Sequence, residues 1–323
     1  MKVAITHGYV PPDAPEDEQD VLEEARAVSD TLLRLGHNPA TLPLFLDTQK
    51  MIADIGDIRP DVIFNLVESL DGKGRYLYIA PTIFDYLNIP YTGAHTDAIY
   101  TTSNKLLAKQ CLKSAGIPTA HWLTTAMLSN GFKSVDAPYI IKSVWEHASI
   151  GLSAASIIHN TNQLPAALEK ANGDGTGVWF AEKFIDGREF NLSVLGGPDG
   201  PTVLPPAEMT FLNFPEGKPR IVDYEAKWDE SSAAYQQTVR TFDFPASDRQ
   251  LLDQLCDISL QCWQLFELRG YARVDFRVDV DNYPFVLEVN VNPCISPDAG
   301  FYAACQRGGL DYEQVIERII RDV

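Results

Sequence analysis

The chain has 323 residues, too many for one small core and enough for two or three domains. Its 45% hydrophobic and 22% charged residues fit a soluble globular protein, and a formal net charge of −18 argues against nucleic-acid or anionic-membrane partners. The five cysteines are odd in number and form no CxxC pair, so the expectation is free thiols in a reducing cytoplasm, not a disulfide framework or a zinc site. No apolar run approaches the ~18 residues of a membrane span.

Residues 2–6 read as a buried strand rather than a leader peptide, followed by a Gly/Pro-containing loop over 7–15. The acidic stretch 16–24 opens a helix that runs to Leu35 and stops at Gly36, since acids in a first turn suit the helix dipole. Residues 61–66 form a second buried strand, 82–87 a helix, and 89–93 a strand and turn. This β-α-β alternation predicts a doubly wound parallel sheet over residues 1–95. Ser103-Asn104-Lys105 caps a helix over 106–115 that Gly116 ends. Strands are expected over 137–142, 154–159, 178–185 and 190–195, the first leading into a small-residue loop with Ser149, Gly151 and Ser153. Residues 198–241, rich in Pro, Gly and charge, read as a long loop of the kind that serves as a lid. An amphipathic helix over 251–268 and a short one over 312–320 complete the chain.

Between those last two helices lie two segments that alternate polar and apolar residues. In Gly270-Tyr-Ala-Arg273-Val-Asp275-Phe276, Arg273 and Asp275 share one strand face; in Phe285-Val-Leu-Glu288-Val-Asn290, Glu288 and Asn290 share one face, opposite Phe285, Leu287 and Val289. With Asp281-Asn282 between them they predict a hairpin whose polar faces meet. Asp275, Glu288 and Asn290 are hard oxygen ligands suited to Mg²⁺, which is usually held by one or two carboxylates plus substrate phosphates, so a nucleotide site follows. A solvated strand face with a surface ion pair fits the same pattern.

Other candidates are weaker singly. Lys142 and the loop after it suit phosphate oxygens, although no GxxxxGK[ST] string is present and an ordinary turn fits as well. Lys105 at a helix start is unfavourable for the dipole unless an anion shares the place. Glu182, Lys183 and Phe184, with Glu189, present a carboxylate and apolar contact to an adenosine, or else form an edge strand with surface charges. Tyr224 and Lys227 stand in a run of alternating charge and aromatics that either closes over a substrate or is simply solvated. Cys294, after Pro293, reads as a structural thiol.

Taken in order, Lys105, Lys142 with its loop, Glu182-Lys-Phe-Ile with Glu189, Asp223-Tyr-Glu-Ala-Lys227, Arg273-Val-Asp275 and Glu288-Val-Asn290-Val-Asn-Pro293 resemble the ATP-grasp superfamily. Within it the chain is most similar to D-alanine–D-alanine ligases, over nearly its whole length, including Phe64-Asn65-Leu66, Ile89-Pro-Tyr-Thr-Gly93 and Gly116-Ile-Pro118. The resemblance implies an α/β protein in which an N-terminal doubly wound parallel-sheet domain (1–95) precedes a two-part ATP-grasp α+β module (96–185 and 186–323). It also implies an ADP-forming ligase that activates a carboxylate as an acylphosphate and joins it to an amine. By resemblance Lys105 and Lys142 hold ATP phosphates, Glu182, Lys183 and Phe184 face adenine, and Glu189 the ribose. Asp275, Glu288 and Asn290 hold two Mg²⁺ ions, for which Mn²⁺ can substitute. Arg273 stabilises the tetrahedral intermediate, Lys227 binds the acceptor carboxylate or a phosphate, and Ser149 belongs to the phosphate loop of the catalytic set.

Glu18 aligns with the glutamate that orients the donor's amino group, and Tyr224 completes the substrate side. Departures fall in that pocket: Glu68 stands where the family has histidine, Trp228 follows Glu-Ala-Lys where the family has tyrosine, and the segment after Asn290 carries Cys294 and Asp298. Carboxylates at Glu68 and Asp298 point to amine-bearing ligands other than D-alanine. Expected partners are therefore an amino-acid-like donor, an amine acceptor and a second copy in a homodimer, without nucleic acid or membrane. A true D-alanine–D-alanine ligase with unusual pocket residues and a nucleotide-binding regulatory protein without turnover are the alternatives.

Overall fold

The computed structural model describes residues 1–131, 138–146, 152–173, 178–214, 219–228 and 231–323. The first unit is a parallel sheet built from β1 (Lys2–Gly8), α1 (Glu16–Arg34), β2 (Asn38–Leu44), α2 (Thr48–Ile58), β3 (Val62–Asn65) and α3 (Ile79–Leu87), with strand order β2-β1-β3. A parallel bridge from Ile63 to Tyr91 extends it. Alternation along β1 sends Val3 and Ile5 to one face, against Val28 and Leu32 of α1, and Ala4 to the other, with Met51, Ile55 and Phe84. Helices thus cover both faces, as the doubly wound expectation requires. Sequence reading passes over β2 and α2. Pro39 and Pro43 interrupt the strand pattern of β2, and they are tolerated because β2 is an edge strand. Asp47 caps α2 by accepting from the Lys50 amide at 3.0 Å.

After α4 (Thr96–Ser103) comes α5 (Lys105–Ser114), whose N-cap Asn104 accepts from the Leu106 and Leu107 amides, both at 3.1 Å. The central unit comprises β4 (Trp122–Leu123), α6 (Thr125–Ser129), β5 (Tyr139–Ser143), β6 (Ile157–Ile158), α7 (Leu164–Gly173) and β7 (Trp179–Lys183). Its antiparallel sheet runs β4-β7-β5-β6 over a small core of Leu123, Tyr139, Ile141, Leu164, Leu168 and Ala181. The strand expected over 154–159 is mostly absent. Ala154–Ser156 forms a 3₁₀ turn, boxed by the Ser153 and Ser156 side chains, and only two residues pair as strand.

The third unit holds β8 (Arg188–Leu195), β9 (Thr202–Val203), β10 (Ala207–Phe211), α8 (Tyr224–Trp228), α9 (Ala233–Gln237), β11 (Thr238–Thr241), α10 (Arg249–Leu265), β12 (Tyr271–Val278), β13 (Pro284–Val291), α11 (Gly300–Arg307) and α12 (Tyr312–Arg321). An antiparallel sheet of order β11-β10-β8-β12-β13, with β9 beside β8, is its centre. Residues 198–241 are therefore not one long loop. Three strands and two short helices occupy the described part, and ladder pairing along β8 and β10 overrides a composition poor in strand formers.

The β12–β13 hairpin forms as expected and its polar faces meet, with Arg273 opposite Asn290 and Asp275 opposite Glu288. Strict alternation fails beyond that point. A bulge at Asp275/Phe276 sets Phe276 against Val286, leaving Leu287 as the extra residue. Val286, not Leu287, joins Val289 in the core, and Leu287 turns to the side that carries Glu288.

The first and third units meet at two glycines in the left-handed region, Gly93 (φ 82°) and Gly270 (φ 70°). A Cβ on Gly93 would stand 2.1 Å from Oδ1 of Asn292, the atom that accepts from the Ala94 amide at 3.0 Å. Gly93→Ala therefore strains the backbone and breaks that contact. We expect a loss of about 2 kcal/mol or more in urea unfolding, where a surface substitution stays within about 0.5 kcal/mol.

Candidate active site

The polar face of the hairpin is a dense network. Arg273 grips Asp275 with two parallel bonds, Nε to Oδ1 at 2.7 Å and Nη2 to Oδ2 at 2.8 Å. Asn191 of β8 donates to Oδ1 at 2.7 Å, and Asn290 donates to Oδ2 at 2.9 Å and to Glu288 at 3.3 Å. One strand further along, Glu189 pairs with Arg277 at 2.7 Å. Lys105 bonds the Glu146 carbonyl at 2.6 Å and stands 3.5 Å from Glu288. Burial pushes both Asp275 and Glu189 up, against the pull of Arg273 and Arg277 respectively, and the neighbouring carboxylates add to the rise.

Each acid is paired with an arginine yet still pushed up by burial, an environment that a divalent cation would relieve. Among the described residues no three His, Cys, Asp or Glu side chains group closely enough to hold an ion unaided. Two carboxylates and an amide, completed by phosphate oxygens, fit the way Mg²⁺ is usually held. The amide of Asn290 presents its nitrogen to the acids and must turn over to present oxygen.

Two cavities meet at this network. The smaller, of about 110 Å³, has an apolar wall of Ile140, Phe184, Ile221 and Leu287 and a polar end of Lys105, Lys142 and Glu182. The larger, of about 830 Å³, is lined by Asp20, Glu68, Lys227, Arg240, Arg273 and Asp298 among others. Glu189, Asp275 and Glu288 belong to both walls.

Of the residues singled out in the sequence, Lys105, Lys142, Glu182, Lys183, Phe184 and Glu189 gather around the smaller cavity, and Glu68, Lys227 and Asp298 around the larger. Asp275 and Glu288 are shared, and Arg273 and Asn290 line the larger. Glu182 is wholly committed to lysines, receiving Lys109 Nζ at 2.5 Å and Lys142 Nζ at 2.6 Å. Glu18 lies off the cleft wall, beside Gly72, and Tyr224 is off the wall too, while Trp228 and Tyr235 are on it. Ser149 falls outside the described residues.

Sequence reasoning missed Lys109, Asn191, Arg277, Asp20 and Arg240. Three of these carried a periodic signal: Lys109 follows Lys105 by one helical turn, Arg277 follows Asp275 by two strand residues, and Asn191 follows Glu189 likewise.

Glu68 stands in the cleft where water reaches it. Enclosure pushes its carboxyl up to about 7, with Asp20 adding to the rise and Lys227 and Arg273 opposing it. A carboxyl raised in the folded state binds its proton more tightly there, so it stabilises below the unfolded value near 4.5 and loses that contribution as pH rises through about 7. Glu68→Gln should therefore lose less stability than wild type between those pH values, measured by thermal melts across the window.

Residues 111–321 match the family described as D-ala D-ala ligase C-terminus. The chain belongs to the D-Ala–D-Ala ligase family. It is an ATP-grasp enzyme that joins a carboxylate to an amine and forms ADP, and ligases of this family use ATP and a divalent metal. The chain is 28% identical to the D-alanine–D-alanine ligase of Moorella thermoacetica over 99% of its own length and 98% of the relative's. It is 29% identical to an uncharacterized protein of Sinorhizobium fredii over 80% of the chain and 73% of that protein. The fold matches the Bacillus anthracis D-alanine–D-alanine ligase complexed with ATP, with TM-score 0.74 and 19% identity over 100% of this chain and 97% of that one. It also matches the Vibrio cholerae D-alanyl-alanine synthetase A, with TM-score 0.74 and 15% identity over 99% and 97%. All five cysteines are free, and among the described residues no helix is long and apolar enough to cross a membrane.

Proposed function

We propose that this ligase joins an amino-acid-like donor to an amine-bearing acceptor in the cytoplasm, as a homodimer of chains with units 1–95, 96–185 and 186–323. The observation that carries the reading is the Arg273–Asp275–Glu288–Asn290 network at the junction of a small, partly apolar slot and a larger polar cleft. Adenine enters the apolar slot between Ile140, Ile221 and Leu287, against Phe184 and the Glu182-Lys183 main chain, with Glu189 toward the ribose. Lys105 and Lys142 reach the phosphates, aided by Ser149. Asp275, Glu288 and Asn290 would hold two Mg²⁺ ions, replaceable by Mn²⁺, which would supply charge neutralisation for the transferred phosphoryl group.

The donor carboxylate attacks the γ-phosphorus and ADP leaves. The acceptor amine then attacks the acyl carbonyl, and phosphate departs with the bridging oxygen. Arg273, which borders the cleft, stabilises the oxyanion of the tetrahedral intermediate. Lys227 lies beside Arg273 and binds a carboxylate or phosphate; burial first and the Arg273 charge second lower its ammonium, so an incoming anion restores it. Glu68 and Asp298, on the cleft wall, face amine-bearing ligands, and Glu18 and Tyr224, which stand off that wall, are the donor-side and lid residues that closure of the cleft would bring to the substrate.

The test is Mg²⁺-dependent ADP release over a matrix of D- and L-amino acids, dipeptides and simple amines, offered singly and in pairs. A hit that requires two different partners supports this reading and names both. D-alanine alone as the hit returns the chain to the activity that its named relatives carry.

A further inference from the structure

The larger cleft holds a cation that no described group of the protein answers. β11 pairs antiparallel with β10, Arg240 opposite Met209 and Thr238 opposite Phe211, while the intervening Val239 is exposed. Alternation therefore turns Thr238 and Arg240 to one side, and both line the cleft together with Met209. Met209 lies opposite Glu189 of β8, so Arg240 stands on the sheet face that carries the hairpin network. Four cations of that network are paired: Arg273 with Asp275, Arg277 with Glu189, Lys142 with Glu182, and Lys105 with the Glu146 carbonyl. Arg240 makes no hydrogen bond and no ion pair with a described residue. Asp298 is the carboxylate that acts on it, from beyond ion-pair reach, and is itself exposed.

The opposite wall leaves room for this side chain. Gly300 opens α11 on the cleft, and a Cβ there would stand 2.8 Å from Nη2 of Arg240 and 3.2 Å from its Cζ. The backbone at Gly300 lies outside the left-handed region, so the turn does not demand glycine; the guanidinium does. Burial first and the charge of Arg273 second lower Arg240 from the ordinary arginine value, a cost that an incoming anion removes.

We infer that Arg240 binds a second carboxylate on the acceptor, so that the acceptor is an acidic amino acid, with its α-carboxylate on Lys227, its side-chain carboxylate on Arg240 and its amino group toward Asp298. The inference rests on the ligase reading above, in which Lys227 binds a carboxylate. The guanidinium fork offers two parallel N–H donors to one carboxylate, and no described residue competes for them. A simple amine or a neutral amino acid would leave Arg240 unanswered inside the cleft.

Binding tests this without turnover. Glutamate and aspartate, with their neutral isosteres glutamine and asparagine, are titrated calorimetrically in both enantiomers into the protein with ADP and Mg²⁺. At least one acid should bind about tenfold or more tighter than its amide. Arg240→Gln should bring that ratio close to one, and Arg240→Lys, which keeps the charge without the fork, should restore part of it. Gly300→Ala, which keeps the arginine but pushes its guanidinium aside, should narrow the ratio by about threefold. Thermal melts of the Arg240 variants should stay close to wild type, because the side chain satisfies no described group. Equal binding of acid and amide, binding of neither, or a ratio untouched by Arg240→Gln overturns the proposal. ADP release with neutral acceptors would then leave the ligase reading standing, whereas absence of ADP release with every pair would count against the ligase reading alone.

Discussion

Arg273→Lys is expected to lower kcat by about 10²–10³-fold while KM for ATP changes little, since removal of one preorganised oxyanion donor costs that much. The reason is geometric. The guanidinium makes two parallel bonds to Asp275 and still borders the cleft, whereas a lysine ammonium is a point charge that cannot do both. Lysine keeps a positive charge beside the buried Asp275, so the loss reads as chemistry rather than unfolding. Steady-state kinetics with the pair that supports turnover checks it. A kcat within about twofold of wild type would remove Arg273 from the reaction.

Glu182→Gln should destabilise the protein by about 3–5 kcal/mol, because it leaves buried cations without their counter-charge. Lys109 is 1% exposed and, among the described residues, hydrogen-bonds Glu182 and the Thr119 hydroxyl, and Lys142 shares the same carboxylate. The pH dependence follows with a definite sign. Burial opposes ionisation of Glu182, yet Lys109 and Lys142 hold its carboxyl below the usual value near 4.5. Its contribution is therefore present above that value and fades as pH falls through the folded pKa. Urea unfolding from pH 3 to 8 should show the variant losing stability mainly at the upper end, so that the two curves converge in acid. The variant should also bind ATP less tightly, since Lys142 loses the partner that aims it.

How much of this was legible in the sequence depends on which residues carry local periodicity. The β12–β13 hairpin and its polar face were readable because alternation with period two survives through Arg273, Asp275, Glu288 and Asn290. The bulge at Leu287 was not, because an extra residue leaves no mark in composition, and it moves an apolar side chain from the expected core to the wall of the smaller cavity. The edge strand β2 was hidden by its prolines, and β9, β10 and β11 by a segment whose strand pairing comes from tertiary contact. The role of Glu182 was half-legible. Its place at the smaller cavity accords with the motif's expectation, but its bond to Lys109 links residues 73 positions apart. Acids of α1 looked like dipole-stabilising surface charge, yet Asp20 and Glu24 sit on the turn of the helix that faces Cys294, Ile295 and Ser296.

Transfer of oxygen tests the central claim most directly. With the carboxylate partner that supports turnover labelled in both oxygens with ¹⁸O, the inorganic phosphate released should carry one ¹⁸O and the amide product the other. Unlabelled phosphate from a reaction that still consumes ATP and forms the amide would mean that no acylphosphate forms, and would contradict the assignment of this site to carboxylate activation by phosphoryl transfer.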